Sequence, residues 1–431
     1  MIEEWLLDDP AALTRADEAG LLLDLASAGA TVRRALRLAG EAGLDQLRPE
    51  GRPRAAFVAG HGTAALAGQL LAALAGPAGP VVVLRPTLAD PAQHPDRDDA
   101  AEAATPAEVR SEFSLGLDWV LPGWAGPSDL VLILSTRGTE PGLIALAQRA
   151  YARGCSVVSV TPAHSPLAGA TVQVRGMPLP FEPSAAAPEP PTGLERDLPY
   201  DAPSALWGLL APTLALADRV GLASVPYASL QAAADQLDEA AVRCRPAADT
   251  YSNPAKVLAV QLDDMLPLLW SDGPGTAAVA ERFARMLADH AGHPAITGVL
   301  PEALTTQRGL LLGHLAADPD EDDFFRDRTE QPDGLQLKVF LLRRTPAPAP
   351  APAPAQAAAF PAEEPATEAE PLPPPHAVAR AHRLASDHQV GIQELTAPHA
   401  DLLGGLVELL AMTDFGAVYL GLAAAARSRA H

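Results

Sequence analysis

Four short runs of Val, Leu and Ile in the first half of the chain constrain its fold more than any other feature. They read AAFVAG, VVVLRP, DLVLILS and SVVSVT, and helix-forming or Ala/Pro-rich stretches separate them. Strands that are apolar at every position, rather than at alternate positions, are typical of sheets buried on both faces. Such strands alternating with helices indicate a parallel sheet. The sequence therefore predicts an α/β domain over residues 50–175, preceded by N-terminal helices over 1–49.

A second set of α/β signals follows a proline-rich stretch at 176–200, which we interpret as a linker. Strand-like segments at 266–270 and 334–344 flank a predicted helix over 276–291. We assign 201–344 to a second domain, which a strand and helices in 376–431 complete. The Pro/Ala-rich residues 345–375 are predicted to be a disordered insertion, because such a composition buries little surface. The predicted fold is two α/β domains, each a parallel sheet flanked by helices in three layers.

Charge and cysteine usage narrow the possible partners and compartment. A net charge of −22 disfavours nucleic acid and anionic membranes as partners, because both would repel the protein. Two cysteines, Cys155 and Cys244, in 431 residues do not form a disulfide framework and indicate a reducing compartment. The acidic N-terminus lacks the basic region of a signal peptide, and we expect no segment as long as a membrane span. The sequence thus predicts a soluble, cytoplasmic protein.

The first candidate site is a glycine turn, Gly60-His61-Gly62, between a predicted strand and a predicted helix. Glycines let backbone N–H groups approach a ligand, and a helix N-terminus attracts anions. The dinucleotide fingerprint has its third glycine three residues after the second, whereas here it comes at Gly68, and the next strand ends at Arg85 rather than at an acid. NAD is therefore disfavoured. NADP stays a distant alternative. A further alternative is that the glycines serve only the close packing of strand and helix.

The second candidate site follows the third predicted strand and reads Ser135-Thr136-Arg137-Gly138-Thr139. Hydroxyls, a glycine and exposed amides at a helix start are the donors that a phosphate needs, and Arg137 adds a cation with a bidentate grip. The same stretch is also an ordinary helix start, with Thr139 as the cap, Glu140 in the first turn and Pro141 near the first position. We predict a helix start that also binds phosphate, together with Gly60 and Gly62.

Other kinds of site are not indicated by the sequence. The eleven histidines show no metal-ligand spacing with the two cysteines. The acidic run Asp318–Asp323 lacks the glycine and the terminal glutamate of a calcium loop. No P-loop, nucleophile elbow or kinase motif is recognisable in the sequence. We therefore predict neither a metal nor a cofactor.

In these motifs and their order, the chain resembles the SIS (sugar isomerase) superfamily, specifically its bifunctional phosphoglucose/phosphomannose isomerases. Gly60 to Gly68 is similar to their opening glycine motif, and Ser135 to Glu140 is similar to their Ser-x-Ser-Gly-x-Thr phosphate loop. Later similarities lie at Leu266–Pro274, Gly298–Glu302 and Met412–Leu420. The resemblance implies two SIS domains, a hexose phosphate ligand and a homodimer. The apolar tail around Phe415 and Tyr419, which needs a partner surface, also led us to expect a dimer.

The chain departs from the family pattern at the residues that carry catalysis. Arg137 stands where the family has serine, and Ala64 stands where its first motif usually has serine. The family's catalytic glutamate corresponds to the stretch Ala288–Gly292, so the resemblance makes Asp289 the candidate base, one methylene shorter. The position of the family's catalytic histidine corresponds to Thr305 and its neighbours in this chain. Threonine does not titrate near neutral pH and cannot replace a histidine in proton transfer. His290 or His293 could substitute, although surface positions are the simpler interpretation of both.

Three functions remain open at this stage. The first is a phosphohexose isomerase with a rebuilt site, and the second is a catalytically silent phosphosugar-binding protein that senses or regulates sugar supply. The third, a distant alternative, is an NADP-dependent oxidoreductase. The missing histidine and the shortened acid favour the second over the first, and the glycine spacing disfavours the third.

Overall fold

The computed structural model describes residues 7–49, 51–88, 116–186, 201–312, 336–344, 376–397, 399 and 401–430. The chain divides into two compact units. The first unit contains Met1–Asp263, Arg285–His293 and Leu410–His431, and the second contains Asp264–Ala284 and Pro294–Leu409. Each unit is built on its own parallel sheet, which confirms the predicted α/β class.

The strands of the first unit are β1 Ala56–Ala59, β2 Val81–Leu84, β3 Thr87–Leu88, β4 Leu117–Asp118, β5 Leu130–Leu134, β6 Ser156–Thr161 and β7 Met177–Pro180. Five of them form a parallel sheet in the order β2-β1-β5-β6-β7. Ala56 of β1 is in register with Val81 of β2 on one side and with Leu130 of β5 on the other. Both β1 and β5 are buried at every position, because helices cover the two faces of the sheet.

The helices of the first unit are α1 Pro10–Ala16, α2 Leu21–Ala26, α3 Ala28–Glu41, α4 Thr63–Ala75, α5 Pro141–Ala152, α6 Pro166–Gln173, α7 Ala205–Arg219, α8 Tyr227–Arg243 and α9 Pro254–Leu262. On one face of the sheet, Leu143 and Leu146 of α5 join Phe57 and Ile133 in one buried cluster. Helices α4 and α7 contact each other, and they contact the strands β1 and β6 respectively. The unit therefore has the three layers that the sequence predicts.

The boundary between the units differs from the predicted linker and second domain. Within the predicted linker 176–200, Met177–Pro180 pairs with β6 as the edge strand β7. An edge strand tolerates its two prolines because, among the residues that the structure describes, one of its sides has no strand partner. Residues 201–263, which the sequence assigns to the second domain, cluster with the first unit because the apolar α7 is buried against α3 and α4. The predicted insertion 345–375 lies outside the described residues.

The second unit is built on β8 Met265–Ser271, β9 Ile296–Val299, β10 Gln336–Arg344 and β11 Gly391–Ala397. These strands are parallel and lie in the order β11-β10-β8-β9. The remaining helices are α10 Pro274–Ala291, α11 Ala303–Thr306, α12 Arg308–Leu311, α13 His376–Asp387 and α14 Leu402–Ala430. Trp270, Val339 and Leu341 pack with Ala381 of α13 in the core of this unit. The strands and helices predicted for this part of the chain are thus present.

The tail helix α14 corrects two expectations from the sequence. Its residues Leu402–Ala426 are long and apolar enough to be a candidate membrane span, whereas the sequence analysis expected none. However, 72% of its most apolar window is buried inside the protein. Phe415 and Tyr419 are buried, and the Tyr419 hydroxyl donates a hydrogen bond to the Cys244 carbonyl oxygen at 2.5 Å. The tail finds its partner surface within its own chain, so its apolarity is no longer an argument for a dimer, and the homodimer stays a prediction.

A buried lysine ties three backbone segments of the first unit together. Lys256 lies on α9, and its Nζ donates hydrogen bonds to the carbonyl oxygens of Leu7, Pro246 and Ala248 at 2.6, 2.8 and 2.7 Å. Its ammonium group also lies 5.6 Å from the ring centre of Tyr419. Three acceptors around one cation offset much of the cost of burying the charge.

Candidate functional site

The two glycine-containing turns predicted from the sequence lie at one edge of the first sheet. β1 and β5 are adjacent and parallel, so the turns that follow them leave from the same edge. From β1 the strand order continues to β2 on one side, and from β5 it continues to β6 and β7 on the other. The edge between β1 and β5 is therefore the topological switch point, where ligands bind in open α/β sheets.

The turn after β1 requires both of its glycines. Gly60 is buried, and a Cβ there would lie 2.8 Å from the Leu134 carbonyl oxygen at the end of β5. Gly62 has a φ of +56° and is the N-cap residue of α4. Gly68 lies inside α4, where a Cβ would be 2.8 Å from the Val58 side chain. Close packing thus explains these glycines, and a role for Gly60 and Gly62 in binding stays a prediction.

The turn after β5 is organised around the hydroxyl of Ser135. The backbone N–H groups of Arg137 and Gly138 donate hydrogen bonds to Ser135 Oγ at 3.1 and 2.7 Å. Gly138 is buried with a φ of +71°, and a Cβ there would overlap the hydroxyls of Thr161 and Ser165. The sequence predicts amides that are exposed for a phosphate. The structure instead shows these two converging on one oxygen, the buried hydroxyl of Ser135.

Glu140 links the two turns. It is the N-cap residue of α5, where the sequence analysis expected Thr139, and its carboxylate does not cap the helix. Instead, the carboxylate accepts a hydrogen bond from the Ser135 hydroxyl, which lies 2.8 Å from each carboxylate oxygen. His61 Nε2 lies 3.6 Å from Glu140 Oε1. Burial acts to raise the pKa of Glu140, but the interactions with His61 and Ser135 outweigh it, so this pKa lies below its ordinary value.

Asp201, which follows the predicted linker, places a second carboxylate at the same edge. The Thr136 hydroxyl donates a hydrogen bond to Asp201 Oδ1 at 2.6 Å. The other oxygen, Oδ2, lies 3.5 Å from the position that a Cβ would take at Gly62. A cation is also present, because Arg285 of α10 donates a hydrogen bond from its guanidinium to the Gly62 carbonyl oxygen at 3.0 Å.

The residues that resemblance assigns to catalysis are exposed. Asp289 lies in the last turn of α10, four residues after Arg285, and its side chain is solvent-exposed. Thr305 is exposed as well, and its hydroxyl donates a hydrogen bond to the Glu302 carbonyl oxygen at 2.8 Å. Neither position offers a buried, titratable group. The catalytic role predicted for Asp289 stays a prediction that its surroundings do not support.

Four charged or titratable side chains at this edge were not predicted as site residues: His61, Glu140, Asp201 and Arg285. His61 and Glu140 lie within the two motifs, so their positions next to Gly60 and Thr139 could have indicated them. Asp201 and Arg285 reach the edge through tertiary packing, for which the sequence carries no local signal. In the part of the chain that the structure describes, no cluster of three His, Cys, Asp or Glu side chains could hold a metal ion. The acidic run Asp318–Asp323 lies outside that part.

Comparisons with solved structures give a similar fold over nearly the whole chain. Residues 251–351 match the family described as the bacterial phospho-glucose isomerase C-terminal SIS domain. A protein from Silicibacter pomeroyi DSS-3, named provisionally as a phosphosugar isomerase, superposes with a TM-score of 0.53 and 15% identity, covering 96% of this chain and 98% of that one. A hypothetical protein from Thermus thermophilus superposes with a TM-score of 0.53 and 14% identity, covering 97% of this chain and 89% of that one.

A third solved structure is the C-terminal domain of glucosamine-fructose-6-phosphate aminotransferase from Francisella tularensis. It superposes with a TM-score of 0.50 and 10% identity, covering 94% of this chain and 96% of that one. Comparison with curated protein sequences gives no match. The two parallel sheets and these relatives define an α/β protein with a phosphosugar isomerase-like fold. More particularly, residues 251–351 resemble the C-terminal SIS domain of bacterial phosphoglucose isomerases.

Proposed function

We propose that this protein binds a hexose phosphate at the edge of the first sheet where β1 and β5 end. The observation that carries the proposal is that the turns after β1 and β5 leave the sheet side by side and that each leads into a helix, α4 after Gly62 and α5 after Glu140. Both helix N-termini favour an anion. They lie at the switch point of the sheet, the usual place for a ligand in this architecture.

Local positive charge is needed because the chain as a whole carries a net charge of −22. Arg137 is part of the turn itself, where the resembled family has a neutral serine. The guanidinium of Arg285 lies at the neighbouring turn after β1, where it donates a hydrogen bond to the Gly62 carbonyl oxygen. A guanidinium binds phosphate in a bidentate manner, so these two residues supply the attraction that the rest of the protein opposes.

Calorimetric titration with glucose 6-phosphate and mannose 6-phosphate tests this proposal. A charge-assisted bond contributes about 1.5–3 kcal/mol, so Arg137→Ala should weaken binding by about 10- to 100-fold. Arg37→Ala is the matched control, because Arg37 is an exposed arginine of α3 that pairs with Glu41. Both variants binding like the parent protein would exclude Arg137 from the site. A parent protein that binds no hexose phosphate would remove the proposal.

A second candidate function is aldose–ketose isomerisation of the bound sugar, and the His61–Glu140 pair favours it. Isomerisation moves a proton between carbons 1 and 2, and it also needs a group that opens the sugar ring. His61 carries an imidazole, the group that most often transfers protons in catalysis, and it is half-buried and faces an ionised carboxylate. These properties suit the ring-opening role for which Thr305 is unsuited.

Incubation with fructose 6-phosphate in deuterated water separates the two functions. Deuterium at carbon 1 or 2 of the sugar would identify an isomerase, and His61→Asn should then abolish the exchange while binding persists. Saturable binding with no deuterium incorporation would identify a silent phosphosugar-binding protein that senses or regulates sugar supply. NADP binding is not proposed, because Gly68 packs on Val58 inside α4 instead of lying at the helix start.

A further inference from the structure

A cavity of about 480 Å³ lies at the opposite edge of the first sheet, where β5 and β6 begin. Leu130 and Ser156, the first residues of these two strands, both line it. A parallel strand rises about 3.3 Å per residue, so the length of β5 places the cavity about 13 Å from the edge where β1 and β5 end. The cavity is therefore separate from the candidate hexose phosphate site, and its volume is in the usual range of small-molecule sites.

The floor of the cavity is apolar. It is formed by two residues of the sheet and two at the C-terminal end of α7, namely Leu130, Val158, Leu216 and Val220. All four are buried within the protein. Their side chains offer a ligand no hydrogen bond, so this floor favours the apolar part of a ligand.

The rim of the cavity is basic. Arg48 and Arg52 line the cavity and are solvent-exposed, and each is followed by a proline that also lines it. A proline restricts the residue before it to extended conformations, so this segment has less backbone freedom to lose when it binds a ligand. Residues 48–54 contain three arginines and one glutamate, in a chain whose net charge is −22. Such a local excess of positive charge favours an anion.

Asp129 also lines the cavity, but a neighbouring arginine balances its charge. Arg54 donates hydrogen bonds to Asp129 Oδ1 and Oδ2 at 3.0 and 2.6 Å. The Gly126 N–H donates a further hydrogen bond to Oδ2 at 2.8 Å. Both oxygens of this buried carboxylate are therefore already bonded, and Asp129 does not cancel the positive charge of the rim.

We propose that this cavity binds a small amphipathic organic anion. Its anionic group would lie at Arg48 and Arg52, and its apolar body would lie on the floor formed by the sheet and α7. This ligand differs from the hexose phosphate of the proposed function, because the hydroxyls of a sugar would be left without partners on an apolar floor. The first unit would thus carry a second binding site at the edge opposite its first.

Fluorescence titration of the full chain with 8-anilinonaphthalene-1-sulfonate tests this inference. The dye has one sulfonate group on an apolar aromatic body and becomes fluorescent when that body binds an apolar surface. N-phenyl-1-naphthylamine has the same aromatic body without the sulfonate and is the matched neutral probe. We expect saturable binding of both dyes. Ser156→Trp, which places a large side chain at the exposed rim, should weaken the binding of both at least about 10-fold.

Arg48→Ala and Arg52→Ala should each weaken binding of the sulfonate dye about 3- to 10-fold, because they remove a charge-assisted contact. Both variants should bind the neutral dye as the parent protein does. Arg37→Ala is the control, because Arg37 is an exposed arginine of α3 that pairs with Glu41. The substituted positions are all solvent-exposed, so we expect the variants to fold.

Three results would overturn the inference. The first is a parent protein that shows no saturable binding of the sulfonate dye. The second is binding that Ser156→Trp leaves intact, which would place the dye elsewhere on the protein. The third is an affinity for the sulfonate dye that neither arginine substitution lowers, or that falls no more than the affinity for the neutral dye, since the rim would then not select an anion.

Discussion

His61 and Glu140 face each other from different turns, with His61 Nε2 3.6 Å from Glu140 Oε1. On its other side, the Glu140 carboxylate accepts the hydrogen bond of the Ser135 hydroxyl. The Ser135 hydroxyl also accepts hydrogen bonds from two backbone N–H groups of the turn after β5. One carboxylate therefore connects the turn after β1 with the turn after β5, and its charge holds the edge of the sheet together.

Glu140→Gln should destabilise the protein by about 1–2 kcal/mol at pH 7, because it removes the charge from these bonds. The folded-state pKa of Glu140 lies below its ordinary value of 4.5. The stabilisation is therefore present above that pH and is lost as the pH falls through the folded-state pKa. Urea denaturation at pH 7 and at about pH 3 should show the difference between variant and parent shrinking.

The control is Glu41→Gln, which alters an exposed pair on α3 and should change stability by less than about 0.5 kcal/mol. A difference for Glu140→Gln that is the same at both pH values would show that its charge does not stabilise the edge.

Gly138→Ala should destabilise the fold by about 2–4 kcal/mol and should also weaken hexose phosphate binding. The residue has a φ of +71°, and a Cβ would overlap the hydroxyls of Thr161 and Ser165. Gly20→Ala is a matched control, because Gly20 has a φ of +69° and no atom lies within 4 Å of its Cβ position. The control should be destabilised only by the cost of placing an alanine in a left-handed backbone conformation, about 1–2 kcal/mol. Thermal melts that show equal losses would contradict the packing argument for this turn.

Lys256→Met should cost about 2–4 kcal/mol, because it leaves three carbonyl oxygens, that of Leu7 among them in a buried bond, without their shared donor. Lys338→Met is the comparison: Lys338 lies on β10 with its ammonium group 5.1 Å from the Phe340 ring centre, and its loss should cost less than about 1 kcal/mol. Denaturant titration measures both. A tolerated Lys256→Met variant would mean that water replaces the lysine as the donor.

Asp289→Asn should leave both the affinity for hexose phosphates and the thermal stability of the protein nearly unchanged. The side chain is exposed in the last turn of α10, and surface substitutions usually change stability by less than about 0.5 kcal/mol. Calorimetry and thermal melts of this variant are sufficient tests. If the protein isomerises its ligand and the variant loses that activity with unchanged binding, Asp289 is the catalytic base after all.

The strands of both sheets could be predicted because their apolar runs are continuous, as in β1 and β5. The boundary between the two domains could not be predicted from the sequence. The prolines of β7 resemble those of a linker, and the sequence cannot show that α7 is buried against α3 and α4. The sequence could not show what covers the apolar tail helix α14, because the residues that it contacts, such as Cys244, are far away in sequence.

The candidate site was predictable to the extent that it consists of local motifs. Gly60, Gly62 and the Ser135–Thr139 stretch are placed by the strands that precede them, and strand pairing brings them together. The N-cap of α5 was misassigned by one residue, because threonine is a preferred N-cap type whereas Glu140, which occupies the position, makes no side-chain cap bond. The bond between Thr136 and Asp201 joins residues 65 positions apart, so no local pattern could indicate it.

Hydrogen–deuterium exchange of backbone amides, followed by mass spectrometry with and without a saturating hexose phosphate, tests whether the ligand lies at the edge of the first sheet where β1 and β5 end. We expect slower exchange in the peptides that contain residues 60–66 and 135–141, which carry the two turns and the helix starts beside them. Peptides from α3, which lie away from these turns in the chain, serve as the internal reference. Protection confined to other segments, or no protection despite saturable binding, would contradict a ligand site at the edge where β1 and β5 end.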